Sequence, residues 1–377
     1  MLLAWLPVQA AIYSLPRDSI AGCTPVDQTY TCAAGLVLGA GDTIVLTSSD
    51  PITLKITGDF TTGDGSQINA EGDASKLSII VNGNTAIGAN STLHANLTGV
   101  GTIDTGEYTH VIGDVTTIAG VVTIGNHSTL TGKITTASAA INVGYDTTVI
   151  GNIKTMVAGV VSVGYDSMVT GNISTTSGAI NVGDRSIVTG SILTTLAGAI
   201  TLGANVKITG NVATTYQGSV VGAGAIVIGG GSKIGGSVTT NTGAITIASG
   251  TKVDGNVATN DGAITVGAST ATGTDNKDNK DGVTKIGGAV CTGNSGAITI
   301  GADAKVDGSI ETAKAGAITV GARAEVGGSV TVKKAGAKTV ATSADVHDNA
   351  NANGKCPNGK ITYPKIQSRQ WRQIFMH

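Results

Sequence analysis

The feature that most constrains this chain is a near-repeat of 19 or 20 residues that recurs through most of its length. One copy, GNISTTSGAINVGDRSIVTG, spans residues 171–190 and contains no aromatic side chain. A repeat this short cannot hold a helix and its partner strand, but it can form one coil of a β-helix. The first glycine of the repeat recurs at Gly113, Gly132, Gly151, Gly171, Gly190 and Gly210, and then at Gly236, Gly255, Gly288, Gly308 and Gly328.

Each repeat divides into three short strand segments in which β-branched residues alternate with small or polar ones. Because successive strand residues point to opposite faces, every second residue is assigned to the interior. In the first segment the interior positions hold Val or Ile and then Thr, as at Val115 and Thr117. We expect the stacked threonine hydroxyls to hydrogen bond to one another along the axis. The position between them, which includes Cys291, is expected to face water.

The second and third segments each place one regular column on the surface. The second segment presents Ala and Thr on a flat face, and the candidate binding residues there are Thr201, Thr246, Thr265, Thr299 and Thr319. The outward column of the third segment changes along the chain to lysine, at Lys207, Lys233, Lys252, Lys285 and Lys305. The lysines would meet an anionic surface polysaccharide, and the threonines would meet a regular lattice such as ice or crystalline polysaccharide.

This pattern predicts an all-β fold, a single-stranded triangular β-helix of about 11 or 12 coils with capped ends. At the usual strand spacing of about 4.8 Å the rod would be about 55 Å long. A narrow interior filled by Val, Ile and Thr would have no room for Phe or Trp, in keeping with an aromatic content of only 3%.

The boundaries of the repeat divide the chain into four parts. Residues 1–10 are predicted to be the end of a signal peptide cleaved near Ala10, the alternative being a buried N-terminal strand. Residues 11–75 form an N-terminal cap with the first strands, and residues 76–335 form the repeats, interrupted by a loop at 269–283. Residues 336–377 form a C-terminal cap or tail, in which Trp371 and Phe375 could instead belong to a docking peptide.

The four cysteines predict disulfide bonds in an exported protein. Cys23, Cys32, Cys291 and Cys356 fit no zinc-binding spacing, and an even count beside an export signal favours disulfides. Cys23 and Cys32 are near enough in sequence to close a small loop. A bond between Cys291 and Cys356 is the other pairing we consider, and the connectivity stays open at this point. The expected location is therefore an oxidising compartment, the cell surface or the medium.

Composition and spacing argue against nucleic-acid binding, membrane spanning, catalysis, cofactors and metals. The net charge is −2, and no run of 18 apolar residues follows the first segment. His110 and His127 are 17 residues apart, two short of the repeat, so they are not in register. The aspartates of the 269–282 loop do not follow the EF-hand spacing. We therefore expect a solvated loop and no enzyme.

One pair of aromatic residues recurs at a corner of the coil. Tyr145–Asp146 and Tyr165–Asp166 stand one repeat apart and should stack on each other. Such pairs more often decorate a turn, although they could also bind a sugar.

The coil motif G-A-I-T-[IV]-G-A-x-[AS]-x-V-x-G-[NS]-[IV]-x-T resembles two groups of proteins. One is the bactofilin-type polymer-forming β-solenoids. The other, which the segment YTCAAGLVLGAGDTIVLTSSDPITLKITGDF also resembles, is the MshQ-like exported repeat proteins linked to biogenesis of the MSHA (mannose-sensitive haemagglutinin) type IV pilus. The resemblance covers roughly residues 25–335, and it implies a right-handed β-helix with a structural or adhesive role at the bacterial surface. The export signal and the cysteines differ from cytosolic bactofilins.

Three functions are compatible with these observations. The first is a non-enzymatic cell-surface structural or adhesion module whose partners are surface polysaccharide or pilus and envelope components. The second is a polymer-forming scaffold that self-assembles. The third is a lattice binder that acts through the Ala/Thr face.

Overall fold

The computed structural model describes residues 9–214, 224–270, 282–349 and 356. Most of the predicted signal segment 1–10, the centre of the loop 269–283 and the tail that holds Trp371 and Phe375 lie outside these residues. The described chain winds into stacked coils whose strands form three long sheets, so the predicted all-β solenoid is confirmed. Within the described ranges, no helix is long and apolar enough to cross a bilayer.

Sheet 1 contains the first segment of each repeat and has 16 strands among the described residues. Its strands are Cys23–Val26, Thr29–Cys32, Ile52–Ile56, Leu77–Val81, Asn96–Gly99, Val115–Thr117, Ile134–Thr136, Ile153–Ala158, Ile173–Ser177, Ile192–Ala197, Val212–Thr214, Val238–Thr242, Val257–Asp261, Val290–Ser295, Ile310–Thr312 and Val330–Val332. The first two strands form an antiparallel hairpin, and all later neighbours are parallel.

Sheet 2 contains the second segment and, in the described part of the chain, has 15 strands paired in parallel. Its strands are Leu36–Leu38, Phe60–Thr62, Thr85–Ile87, Ile103–Thr105, Val122–Ile124, Ile141–Val143, Val161–Val163, Ile180–Val182, Ile200–Leu202, Ile226–Ile228, Ile245–Ile247, Ile264–Val266, Ile298–Ile300, Ile318–Val320 and Lys338–Val340.

Sheet 3 contains the third segment, and the described ranges give it 16 strands, also paired in parallel. Its strands are Ile12–Leu15, Thr43–Leu46, Gln67–Ile68, Thr92–His94, His110–Ile112, Thr129–Thr131, Thr148–Ile150, Met168–Thr170, Ile187–Thr189, Lys207–Ile208, Lys233–Ile234, Lys252–Val253, Lys285–Ile286, Lys305–Val306, Glu325–Val326 and Asp345–Val346. One 3-10 turn, Ala74–Lys76, leads into the strand Leu77–Val81 and is capped by the Asp73 carboxylate, which accepts from the Ser75 N–H at 2.9 Å.

The solenoid has about 15 coils, more than the 11 or 12 predicted. The difference arises because irregular sequence at both ends also stacks in register. Leu36–Leu38 pairs with Phe60–Thr62 at one end, and Lys338–Val340 pairs with Ile318–Val320 at the other. At about 4.8 Å per coil the rod is about 70 Å long.

The interior columns assigned from alternation are confirmed. Val115, Ile134 and Ile153 stack in register and are buried, and so are the threonines two residues further along each strand. The hydroxyls of those threonines differ from the prediction. Axial hydroxyl bonds join Thr155 to Thr175 at 2.6 Å and Thr214 to Thr240 at 2.5 Å.

Most threonine hydroxyls instead donate to a carbonyl at the corner between sheets 1 and 2. Thr136 Oγ1, for example, donates to the Ala139 carbonyl at 2.7 Å. The chain turns sharply at this corner, so its carbonyls face inward and need a donor. Some of these bonds stay within one coil, and others reach the preceding coil, as from Thr175 Oγ1 to the Gly159 carbonyl at 3.2 Å. The threonine column therefore both fastens the corners and links successive coils.

A second buried hydroxyl column, which the sequence analysis did not separate out, lies at the corner before sheet 3. Ser186 Oγ accepts from the Ser167 N–H at 3.2 Å and donates to the Gly164 carbonyl at 2.8 Å. Ser167 Oγ does the same one coil earlier, with Thr147 N–H at 3.2 Å and Gly144 O at 2.9 Å. These bonds also link successive coils, and a Ser or Thr directly before the third segment is their sequence signal.

The repeated glycine column is required by the close stacking of the corners. A Cβ built on Gly171 would lie 2.2 Å from the Gly151 carbonyl oxygen of the preceding coil. No side chain can occupy that space without moving the backbone, which explains why glycine marks each repeat.

Two aromatic side chains are buried in the first coils, although no Phe was expected inside. Phe60 stacks between Leu36 and Thr85 in sheet 2, and the smaller Thr85 leaves room for the ring. Tyr30 lies inside sheet 1 and donates its hydroxyl to the Asp18 carbonyl at 3.1 Å. Burial raises the pKa of the Tyr30 phenol, and the Asp18 charge adds to the rise.

Candidate functional site

The lysines predicted on the third segment form one straight column on the outer face of sheet 3. Lys207 pairs in register with Lys233, and the column continues through Lys252 and Lys285 to Lys305. Each lysine alternates with a buried residue such as Ile208 or Val253, which fixes its side chain on the outside. The five ammonium-bearing side chains therefore leave the sheet about 4.8 Å apart.

The two halves of the lysine column differ in their partners. Lys285 Nζ lies 3.1 Å from the Asp307 carboxylate, and Lys305 Nζ lies 3.1 Å from Glu325. None of the described residues places a carboxylate oxygen within 4.0 Å of Nζ of Lys207, Lys233 or Lys252. These three lysines form the candidate site, since stacked like charges without a counter-charge favour binding of an anion.

The predicted Thr face of sheet 2 is present and exposed, with one interruption. Val227 stands between Thr201 and Thr246 in the register. From Thr246 the column is unbroken through Thr265, Thr299 and Thr319, and one further threonine, Thr339, extends it. The regular part of this face thus covers the last coils only.

The corner between sheets 2 and 3 carries an aromatic ladder longer than the two tyrosines expected there. The rings of Tyr108 and His127 stack 4.8 Å apart, and His127 meets Tyr145 edge-on at 4.9 Å. Tyr145 and Tyr165 stack 4.8 Å apart, and the Arg185 guanidinium covers the Tyr165 ring at 5.7 Å. The sequence analysis missed the longer ladder because its side chains come from two adjacent positions of the turn, so they do not form a single column in the repeat.

Carboxylates support this ladder at its sides. His127 Nδ1 lies 2.9 Å from Asp146 Oδ2, and Arg185 donates two hydrogen bonds of 2.7 Å to Asp166. These bonds, with the arginine charge, hold the pKa of Asp166 below its ordinary value. Desolvation raises the pKa of the Tyr145 phenol, and the neighbouring Tyr165 and acidic groups raise it further.

Each ring of the ladder contacts the ring or guanidinium of the next coil, although Tyr108 and Tyr165 are 55% and 46% exposed. The geometry favours the structural interpretation, in which the ladder stabilises the stacking of five successive corners.

Both pairs of cysteines are bonded, Cys23 to Cys32 and Cys291 to Cys356. The first bond closes the antiparallel hairpin at the N-terminal edge of sheet 1. Cys291 points outward as predicted, but it does not face water. It is 3% exposed, because Cys356 and the small residues Ala258 and Ala289 pack around it.

The histidines are divided between separate contacts. His94 and His110 meet edge-on at 5.7 Å, while His127 belongs to the corner ladder. Across the described ranges, no three His, Cys, Asp or Glu side chains are grouped so that they could hold a metal ion.

Comparisons with known proteins found no matching family model, no matching curated protein and no matching solved structure. The resemblance to MshQ-like proteins and bactofilins therefore stays a prediction from the sequence motif.

Proposed function

We propose that this chain is a non-enzymatic structural or adhesion rod of the cell surface that holds anionic polysaccharide on the lysine column of sheet 3. The observation that carries the proposal is the in-register stack of Lys207, Lys233 and Lys252 without carboxylate partners among the described residues. A linear polyuronate carries one carboxylate on every sugar unit, so it offers a repeated anionic group to a repeated column of ammonium groups about 4.8 Å apart.

Two further features support a place outside the cytoplasm. Disulfide bonds such as Cys23–Cys32 and Cys291–Cys356 are typical of proteins in oxidising compartments. A rigid rod about 70 Å long can also hold a binding face away from the surface that carries it. Association with a type IV pilus or envelope component is the finer form of this proposal, and it rests on the sequence resemblance.

The test is binding of polygalacturonate, an anionic linear polysaccharide, with neutral dextran as the comparison polymer. A variant with Lys207→Glu, Lys233→Glu and Lys252→Glu should lose at least about tenfold in affinity, since three favourable ion contacts become repulsive. Binding by the wild-type chain should weaken as salt rises, because exposed charges are screened.

A matched control places the same charge change elsewhere on the rod. The triple variant Lys55→Glu, Lys76→Glu and Lys334→Glu alters net charge equally but leaves the column intact. It should retain most of the affinity. If both triple variants bind equally, or if the wild-type chain does not prefer polygalacturonate to dextran, the lysine column is not the site.

A second candidate function, lattice binding, is favoured by the unbroken Thr246–Thr339 column of sheet 2. Ice binding would require this face to order water at its regular spacing. Thermal hysteresis of the purified chain at the background level would end the ice hypothesis.

A further inference from the structure

The lysine column of sheet 3 continues into an exposed apolar patch on its N-terminal side. Ile187 stands in register directly before Lys207, and Met168 stands directly before Ile187. Ile150 lies on the same outer face, one coil before Met168 and in the neighbouring outward column. The three apolar side chains, Ile150, Met168 and Ile187, are 45%, 40% and 39% exposed. They form the apolar patch, which adjoins the three lysines of the candidate site.

The strand pattern does not account for the apolar side chains of this patch. In the two preceding coils the same outward position holds Thr129 and Thr148, which pair in register with each other and with Met168. The fold therefore accepts a polar residue at this position. Exposed apolar side chains grouped beside a charged column indicate a contact surface.

The C-terminal side of the lysine column carries acidic residues instead. Glu325 and Asp345 occupy the column positions that follow Lys305. Asp254 and Asp307 add carboxylates in the neighbouring outward column. A polyanion on the lysines of the candidate site would be repelled by these groups if it extended toward the C-terminal coils. It would therefore extend in the other direction, over the apolar patch.

The surroundings of the apolar patch favour an uncharged ligand group over a carboxylate. Arg185, at the corner beside Ile187, already donates two hydrogen bonds of 2.7 Å to Asp166. Asp184 places a further exposed carboxylate at this corner. A uronate unit whose carboxylate is esterified loses its charge and gains a methyl group. Burial of that methyl group against the apolar patch is favourable, whereas burial of a carboxylate there is not.

We propose that the outer face of sheet 3 recognises a polyuronate in which free and methyl-esterified units occur in separate blocks. The block of free carboxylates lies on Lys207, Lys233 and Lys252, and the esterified block lies on the apolar patch. This inference rests on the proposed function, because it specifies the ligand class of the same column. The order of the two surfaces along the rod places the esterified block toward the N-terminal coils.

The test compares two galacturonans that share one block of free carboxylates. The first consists of the free block alone, and the second carries a methyl-esterified block at each end, so the charge is equal and the direction of the polymer does not matter. Titration calorimetry of the full chain at one ionic strength gives both affinities. The flanked galacturonan should bind about fivefold tighter, because its methyl groups and the apolar patch leave water together.

The decisive variant is Met168→Thr with Ile187→Thr, which gives both positions the residue of the preceding coils. It should bind the free block as tightly as the wild-type chain does, and the flanked galacturonan no tighter than the free block. Val37→Thr with Val227→Thr is the matched control, since it removes two exposed valines from the outer face of sheet 2. This control should keep the fivefold preference.

The outcomes separate this inference from the proposed function. If the free block does not bind, or still binds after charge reversal of the lysines, the proposed function fails and the inference fails with it. If the free block binds on the lysines but the flanked galacturonan binds no tighter, only the inference is overturned. A preference that persists in Met168→Thr with Ile187→Thr overturns it as well. So does tighter binding to phosphatidylglycerol vesicles than to either galacturonan, which would assign the apolar patch to a membrane surface.

Discussion

Two buried threonines on neighbouring faces of the solenoid should respond in opposite directions to the same substitution. Thr136 Oγ1 donates to the Ala139 carbonyl at 2.7 Å, whereas Thr85 Oγ1 is buried without a hydrogen-bond partner among the described residues. Valine has nearly the same shape as threonine and suits a strand equally well. Thr→Val therefore changes mainly the hydroxyl group at each position.

The magnitudes follow from the hydrogen bonds. Removing the satisfied hydroxyl in Thr136→Val should cost about 1 kcal/mol, because the net value of one intramolecular hydrogen bond is of that size. Removing the unsatisfied hydroxyl in Thr85→Val should stabilise its coil by about 1 kcal/mol or more, because a buried polar group without a partner carries a desolvation penalty. The two variants should thus differ by about 2 kcal/mol in local opening free energy.

The assay is native-state hydrogen exchange, followed by mass spectrometry on peptides that contain each strand. Stacked coils can open locally, so a single global unfolding transition would not isolate one coil. Exchange should be about fivefold faster around Thr136→Val and about fivefold slower around Thr85→Val than in the wild-type chain. Thr265→Val, at an exposed position, should leave exchange nearly unchanged. If Thr85→Val accelerates exchange as much as Thr136→Val does, the assignment of unsatisfied and satisfied hydroxyls is wrong.

Further predictions concern the lysine column, the corner ladder and the glycine column. The charge-reversed lysine column should lose polygalacturonate binding, as set out above. Arg185→Gln should raise the pKa of Asp166 toward its ordinary value, which carboxyl NMR titration would detect. The pKa of Asp166 is lower in the folded chain than in the unfolded chain. The Arg185–Asp166 contact therefore stabilises the fold in full above the unfolded-state pKa, and this stabilisation is lost as the pH falls through the folded-state pKa. An unchanged titration would contradict the role of Arg185. Gly65→Ala should cost about 1 kcal/mol, since Gly65 has positive φ but no atom within 4 Å of an added Cβ. Gly171→Ala should destabilise its coil by more than that. Equal losses in hydrogen-exchange protection would argue against the close stacking at Gly171.

Much of the fold follows from the sequence because the decisive pattern is local and repeated. Strand alternation assigns Val115 to the interior and Lys207 to the surface without knowledge of any distant contact. Once the repeat length is known, residues one repeat apart must stack. The lysine column and the Thr face were therefore predictable residue by residue.

Hydrogen-bond partners, local burial and the number of coils could be read only from the tertiary structure, because they depend on contacts beyond the residue pattern of a single coil. Thr136 bonds to a corner carbonyl instead of to the next threonine because the turn geometry directs that carbonyl inward. Cys291 is shielded because Cys356, distant in sequence, packs on it. Irregular segments at both ends could be recognised as coils only through their pairing, which is why the coil count was underestimated.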